Sequence, residues 1–344
     1  MGPYDLLISE ALLLSAHAQS VFAYDNSRYD NDDAIDVIPV AFVNTSFGPG
    51  GLPSMNLANT CNPTQNTTFS GSSRPDCSAL ASDIEYCQSK GKIVTLSLGD
   101  DSQAVSFADT IFNFFLGGSS FTRPFGSAVL GGVELYIEGT SSSGYAAFVN
   151  EIGSHAVGAS KQYYISASPG CEYPDASLGA ILNAASFDAV YVQFYIPCGL
   201  QNFDTTSDWD FGLWDYWARN VSPNPDVKIY IGAPASSTAV GGGGYQNLNT
   251  LSNYSTQMRK AFPSFGGVAL WDASQAYVND RYDLAIKNSL TAAGGTGFSL
   301  LTCFAPAVSA CSQGNSGGNC AGTPVWMSSV AYTGGQQVSY SGHL

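Results

Sequence analysis

Runs of β-branched and aliphatic residues recur along the chain, with amphipathic stretches between them. Seven such runs predict buried strands, at residues 36–42, 92–98, 129–138, 163–168, 188–195, 227–233 and 267–271. In the gaps, apolar residues three or four apart indicate helical faces, as in the set Tyr145, Phe148 and Ile152. The alternation of strand and helix at this spacing favours an α/β barrel over a sandwich.

The first unit of this barrel is the irregular one. A parallel barrel of this kind has eight strands, and parallel neighbours need a crossover of a dozen or more residues. The apolar run at residues 6–14, with Ala16-His17-Ala18 after it, resembles a secretory signal, so residues 1–23 are assigned to a signal-like leader. The run at 20–24 then lies too close to residue 36 for a helix between them. The prediction is a TIM (β/α)8-type barrel whose first βα unit is missing or shortened.

The composition limits the classes of partner that the protein can bind and indicates its compartment. The 344 residues carry a formal charge of −15, which argues against nucleic acid and anionic membranes as partners. Eight cysteines indicate an oxidising compartment, and four Asn-x-Ser/Thr sites agree, at Asn44, Asn66, Asn220 and Asn253. We therefore predict a secreted protein, extracellular or in the cell wall, that acts on a neutral polar ligand as a monomer.

One carboxylate stands where barrel enzymes place their chemistry. Glu138 ends the run at 129–138, and the C-terminal end of a parallel barrel strand is the catalytic face of this architecture. On spacing alone, a merely solvated glutamate is the stronger interpretation. The three histidines, at positions 17, 155 and 343, argue against a histidine-based triad and a metal site, and no cofactor is predicted.

The residues around Glu138 change that interpretation. They read Gly131-Gly132-x-Glu134-x-Tyr136-x-Glu138, which resembles the Asp-Gly-x-Asp-x-Asp-x-Glu motif of glycoside hydrolase family 18, the chitinases. The terminal acid is kept, the second aspartate is a glutamate, and the other two aspartates are Gly131 and Tyr136. Further stretches between residues 33 and 290, such as 95–99 and 266–271, resemble fungal class III chitinases.

The resemblance implies roles for individual residues. In that family the sugar's own acetamido oxygen attacks the anomeric carbon, an exception to the two-carboxylate scheme. Glu138 takes the position of the proton donor, Tyr195 that of the tyrosine bonded to the acetyl oxygen, and Tyr136 that of the aspartate that turns the acetamido group. The resemblance also implies substrate-binding positions at Gln193, Trp271, Phe42, Asn44, Asn56 and Gly99.

Tyr136 decides the expected activity. A tyrosine is neutral near pH 7 and fills space in which the acetamido group should turn. We therefore expect a protein that binds chitin or N-acetylglucosamine oligomers with lost or strongly reduced hydrolysis. The alternatives are an active endochitinase that cleaves β-1,4 linkages with Glu138 and Tyr195 sufficing, and a nonfunctional allele.

The cysteines and the tail complete the domain description. The resemblance implies the disulfides Cys61–Cys77 and Cys171–Cys198, and Cys87 is then either a buried thiol or the mate of a tail cysteine. The barrel is assigned to residues 24–302, and a linker rich in Cys, Gly and Ser to 303–323. Residues 324–344 resemble the first half of a chitin-binding module of carbohydrate-binding families 5 and 12.

Overall fold

The predicted barrel is confirmed. The computed structural model describes residues 11–17, 34–58, 60–99, 105–137, 144–195, 198–205, 208–241 and 243–293. Its strands are β1 (Ala11–His17), β2 (Val37–Thr45), β3 (Ser54–Met55), β4 (Ile93–Leu98), β5 (Gly132–Leu135), β6 (Tyr164–Ala167), β7 (Ala189–Gln193), β8 (Lys228–Pro234) and β9 (Phe265–Trp271). All but β3 pair in parallel, and the pairing of β1 with both β9 and β2 closes the ring. The short β3 runs antiparallel beside β2.

Helices cover the outside of the barrel. They are α1 (Ala81–Ser89), α2 (Val105–Phe115), α3 (Tyr145–Ala156), α4 (Gly179–Ala184), α5 (Phe211–Asn220), α6 (Leu248–Ala261), α7 (Ala273–Val278) and α8 (Tyr282–Ala292). The predicted apolar faces are buried, for example Ile84 on α1 and Phe148 and Ile152 on α3. None of the helices in the described ranges is long and apolar enough to span a bilayer.

Strand β1 corrects the sequence interpretation of the N-terminus. The run assigned to a secretory leader is a barrel strand, with Leu13 opposite Val37 on one side and Ala269 on the other. The structure thus has a strand in the first βα unit, which was predicted to be missing or shortened, and the assignment of residues 1–23 to a signal-like leader stays a prediction. A continuous apolar run is the pattern of a signal peptide and of a parallel strand covered on both faces, so the pattern alone did not separate them. Residues 18–33, between β1 and β2, lie outside the described residues.

Two disulfides fasten the loops at one end of the barrel. Cys61–Cys77 connects the segment after β3 to the turn before α1, and Cys171–Cys198 connects the loops that follow β6 and β7. Both pairings were implied by the family resemblance and both are confirmed. Cys87 is buried on α1 and forms no disulfide with a described cysteine.

Several predicted features lie outside the described residues. They are Glu138, the rest of the signal-like leader apart from β1, and everything after residue 293, which includes the predicted linker and the truncated chitin-binding module. These assignments stay predictions.

Candidate functional site

The predicted site residues that the structure describes meet at the C-terminal ends of the strands. Phe42 and Asn44 lie near the end of β2, Gln193 ends β7, and Trp271 ends β9. Tyr136 directly follows β5, and its backbone N–H donates to the carbonyl oxygen of Leu98 on β4. Because all these strands are parallel, their side chains surround one mouth of the barrel, the end at which barrel enzymes act.

Three aromatic rings pack together in this mouth. The Tyr136 ring lies 5.0 Å from the Phe42 ring and 5.7 Å from the Trp271 ring, centroid to centroid, and is stacked on Trp271 with an interplanar angle of 24°. Phe42 and Trp271 are themselves 6.1 Å apart. Ring separations between 4.5 and 7 Å are those of attractive aromatic pairs. Tyr136 therefore covers the tryptophan on which, by the family resemblance, the sugar should stack.

A hydrogen-bond chain fixes the phenol. Tyr136 Oη donates to Gln193 Oε1 at 3.3 Å, and Gln193 Nε2 donates to the carbonyl oxygen of Ser168 at 2.8 Å. The amide of Gln193 is therefore oriented by backbone on one side and occupied by Tyr136 on the other. Gln193 was predicted to bind substrate, and its side-chain oxygen accepts the hydrogen bond from Tyr136.

The space left below the aromatic rings is small. The cavity lined by Glu134, Tyr136, Gln193, Tyr195 and Trp271 measures about 20 Å³. A single water needs about 10–15 Å³ by the same measure, so the cavity has room for one water and not for an acetamido group.

Glu134 is the site residue whose importance the sequence analysis missed. It lies on β5 and is fully buried at the bottom of this cavity, where Ser168 Oγ donates to its Oε1 at 2.5 Å. Burial raises the pKa of the Glu134 carboxyl, and the hydrogen bond from Ser168 and the nearby Ser97 lower it by less. A signal was present, because the alternation of β5 places residues 134 and 136 on the same inward face.

The raised pKa of Glu134 predicts a dependence of stability on pH. The folded protein holds the Glu134 proton to a higher pH than the unfolded chain, so stability falls as pH rises from the unfolded value of about 4.3 through the folded value. At a pH above both values, each unit by which the folded pKa exceeds the unfolded pKa lowers the free energy of unfolding by about 1.4 kcal/mol. Glu134→Gln should remove this slope and be more stable than the parent at pH 8. Urea unfolding at pH 4 and pH 8 measures the pH dependence of stability, and Glu172→Gln, at an exposed position, is the control. An equal dependence on pH in the parent and in Glu134→Gln would contradict the prediction.

A second, larger cavity opens beside the aromatic rings. It measures about 270 Å³ and is lined by Ala41, Phe42, Asn44, Asn56 and Ala58. Asn44 and Asn56 are both exposed, and Asn56 Oδ1 accepts the backbone N–H of Ala58 at 2.9 Å. This cavity brings together Phe42, Asn44 and Asn56, three of the positions that the resemblance implies for substrate binding.

Two glycines shape the walls of the mouth. A Cβ on Gly99 would lie 3.3 Å from the Phe42 ring, so this glycine lets β4 approach the ring closely. Gly132 has a φ of +149°, and a Cβ there would meet the carbonyl oxygen of Tyr164 at 1.9 Å. Only glycine fits at position 132, which explains why this part of the motif is retained while Gly131 and Tyr136 depart from it.

One group of side chains away from the mouth could ligate a cation. Asp109 on α2 and Glu151 and His155 on α3 bring ligand atoms within 4.8 Å of one another. His155 Nε2 already contacts Asp109 Oδ1 at 2.7 Å, and its ring stacks on Phe112. Pairing of α2 with α3 accounts for this arrangement without a metal.

Comparison with known proteins finds relatives that are named chitinases. No protein-family profile matches the sequence. Over 279 residues the chain is 41% identical to Chitinase 2 of Rhizopus oligosporus, covering 78% of this chain and 49% of that protein. Chitinase 1 of Rhizopus niveus is likewise 41% identical, with 51% of its length covered. The chain thus spans about half the length of these two relatives.

Other relatives are matched over most of their length. A class III chitinase of Arthroderma benhamiae is 36% identical over 308 residues, which cover 81% of this chain and 91% of that one. Among solved structures, the chitinase ICChI of Ipomoea carnea is 29% identical with a TM-score of 0.67, covering 81% of this chain and 99% of that one. The xylanase and alpha-amylase inhibitor protein XAIP-II of Scadoxus multiflorus is 26% identical with a TM-score of 0.64, covering 83% and 100%. With this barrel and these relatives, the chain belongs to glycoside hydrolase family 18, close to the fungal class III chitinases.

Proposed function

We propose that this protein binds chitin or N-acetylglucosamine oligomers at the barrel mouth and hydrolyses them very slowly or not at all. The observation that carries the proposal is the position of Tyr136, stacked on Trp271 and bonded to Gln193. A neutral phenol there takes the room and the charge that an aspartate would provide. Positioned acid–base groups contribute roughly 10²–10⁴-fold to rate, and a misplaced reacting group costs about 10²-fold.

The surface that remains for a sugar lies beside the deep position. Phe42, Asn44 and Asn56 line the 270 Å³ cavity, which combines an aromatic face with two exposed amides. Apolar walls with a few polar groups are the usual composition of small-ligand pockets. An oligosaccharide would therefore lie along β2, over Phe42 and Tyr136, without entering the space above Trp271.

Two observations favour the alternative, an active endochitinase. The carboxyl group of Glu134 lines the same small cavity as Tyr195 and Gln193, and the relatives of this chain are named chitinases. In an active endochitinase, Glu138 would protonate the departing oxygen by analogy with the family, and Glu134 would be the carboxylate nearest the reacting sugar. The Scadoxus relative, named an inhibitor protein, supports the opposite view, since barrels of this type also serve as binding proteins.

Binding is tested by calorimetric titration with chitin hexamer. The protein is produced without glycosylation in a bacterial host with an oxidising cytoplasm. We expect Phe42→Ala to weaken binding at least about tenfold, because buried aromatic anchors dominate binding energy. Leu213→Ala, at an exposed apolar side chain on the outer helix α5, should leave affinity unchanged. No heat from the parent protein at millimolar hexamer would reject the proposed binding.

The compartment and the assembly state are part of the same proposal. Two disulfides and four Asn-x-Ser/Thr sites support a secreted protein, extracellular or in the cell wall. The acidic net charge of −15 supports a monomer that binds neither nucleic acid nor anionic membranes.

A further inference from the structure

We propose that Asn44 is glycosylated and that the first N-acetylglucosamine of its glycan occupies the cavity beside Phe42. The attached sugar is of the same kind as the chitin ligand of the proposed function, on which the second half of this inference rests. The protein would thus carry in its own cleft a covalent competitor of chitin.

The acceptor sequence and the state of its side chain support modification. Asn44-Thr45-Ser46 is an Asn-x-Ser site, and Asn44 is exposed with its amide making no hydrogen bond to another described residue. The side chain of Asn220, in contrast, donates from its Nδ2 to the carbonyl oxygen of Tyr216 at 2.8 Å. An exposed amide in this sequence is the usual acceptor for a bulky surface glycan in a secreted protein.

The geometry directs the sugar into the cleft. Asn44 and Phe42 lie two residues apart near the C-terminal end of β2, in a stretch where the strand pairing is irregular. Both line the open cavity of about 270 Å³, close to the lower limit of about 300 Å³ for small-molecule pockets. A sugar ring attached to Asn44 Nδ2 therefore has the Phe42 ring beside it, with the exposed amide of Asn56 on the same cavity wall.

The chemistry is a group transfer. The attacking atom is Asn44 Nδ2, and the donor is an oligosaccharide carried on a lipid pyrophosphate. The new bond joins Nδ2 to the anomeric carbon, the bond from that carbon to the pyrophosphate oxygen breaks, and one amide proton is released. Ser46 is fully buried in the folded protein, so the transfer takes place before β2 enters the barrel.

Occupancy of the cavity is measured first, by a readout that does not involve chitin. The full chain is produced in a eukaryotic secretory host, and its peptides are analysed by mass spectrometry. Native-state removal of the Asn44 glycan by an endoglycosidase should be at least about tenfold slower than removal of the glycan at Asn253, an exposed asparagine on the outer helix α6. Denaturation should abolish the difference. An unmodified Asn44, or equal native rates, overturns the inference.

Competition is measured next with sequence variants. Ser46→Ala removes the acceptor sequence and keeps Asn44, and it should bind chitin hexamer at least about tenfold more tightly than the glycosylated parent, since a tethered ligand acts at millimolar effective concentration. Asn253→Gln should bind as the parent does. If Ser46→Ala does not fold, unglycosylated parent protein from the bacterial host replaces it.

The outcomes separate this inference from the proposed function. Equal hexamer affinity of Ser46→Ala and parent would overturn the competition. Failure of Ser46→Ala and of unglycosylated protein to bind hexamer at all, together with a protected Asn44 glycan, would reject chitin binding and support the occupied cavity.

Discussion

Replacing Tyr136 with aspartate is expected to raise chitin hydrolysis at least about 10²-fold. The change removes the ring that covers Trp271 and opens the 20 Å³ cavity toward the mouth. It also places a carboxylate two residues before Glu138, in the position that the family resemblance gives to the group that orients the acetamido oxygen. Release of chromophore from a chitotrioside, measured before and after the substitution, gives the result.

Two companion variants separate the contributions. Tyr136→Asn opens the same space without a charge, so its rate should stay well below that of Tyr136→Asp. Tyr136→Asp combined with Glu138→Gln should lose the gain if Glu138 is the proton donor. Brisk turnover by the unmodified protein would overturn the proposal of lost hydrolysis and would favour the active endochitinase with Glu138 as the proton donor.

Removal of β1 is expected to prevent the barrel from folding. Deleting residues 1–17 would leave unpaired backbone groups along β2 and β9, which are buried in the closed ring. Circular dichroism and urea unfolding should then show no cooperative transition, and the soluble yield should fall to near zero.

Matched controls test the strand itself. Leu13→Pro removes a backbone donor in the middle of β1, where the strand has neighbours on both sides, so this variant should also fail to fold. Deletion of residues 1–10 stops short of the strand and should preserve the transition. A stable, cooperatively unfolding protein that lacks residues 1–17 would show that the segment is dispensable, as a cleaved leader would be.

The sequence predicted most of the barrel because buried parallel strands leave a distinctive pattern. All seven predicted strands are present, and their bounds differ from the prediction by three residues at most. The eighth was misassigned because residues 6–14 have the continuous apolar character shared by parallel strands and signal peptides. Pairing with β9, far along the chain, distinguishes the two, and no local pattern reports such a contact.

The site was predicted less completely than the fold. The motif resemblance placed Phe42, Gln193 and Trp271 at one mouth, and the structure brings them together with Tyr136. The resemblance did not show that the phenol stacks on the tryptophan and bonds to the glutamine. It also drew attention to the lost aspartates and away from Glu134, because the effect of burial on a pKa depends on residues from several strands.

Closure of the ring has a consequence for synthesis on the ribosome. Leu13 of β1 pairs with Ala269 of β9, so the first strand translated waits for the last one. At about 5–20 residues per second, that interval is on the order of tens of seconds. During that interval, one edge of β1 and one edge of the last finished strand remain without a neighbouring strand. The nascent chain is therefore a client for chaperones that cover unpaired strands.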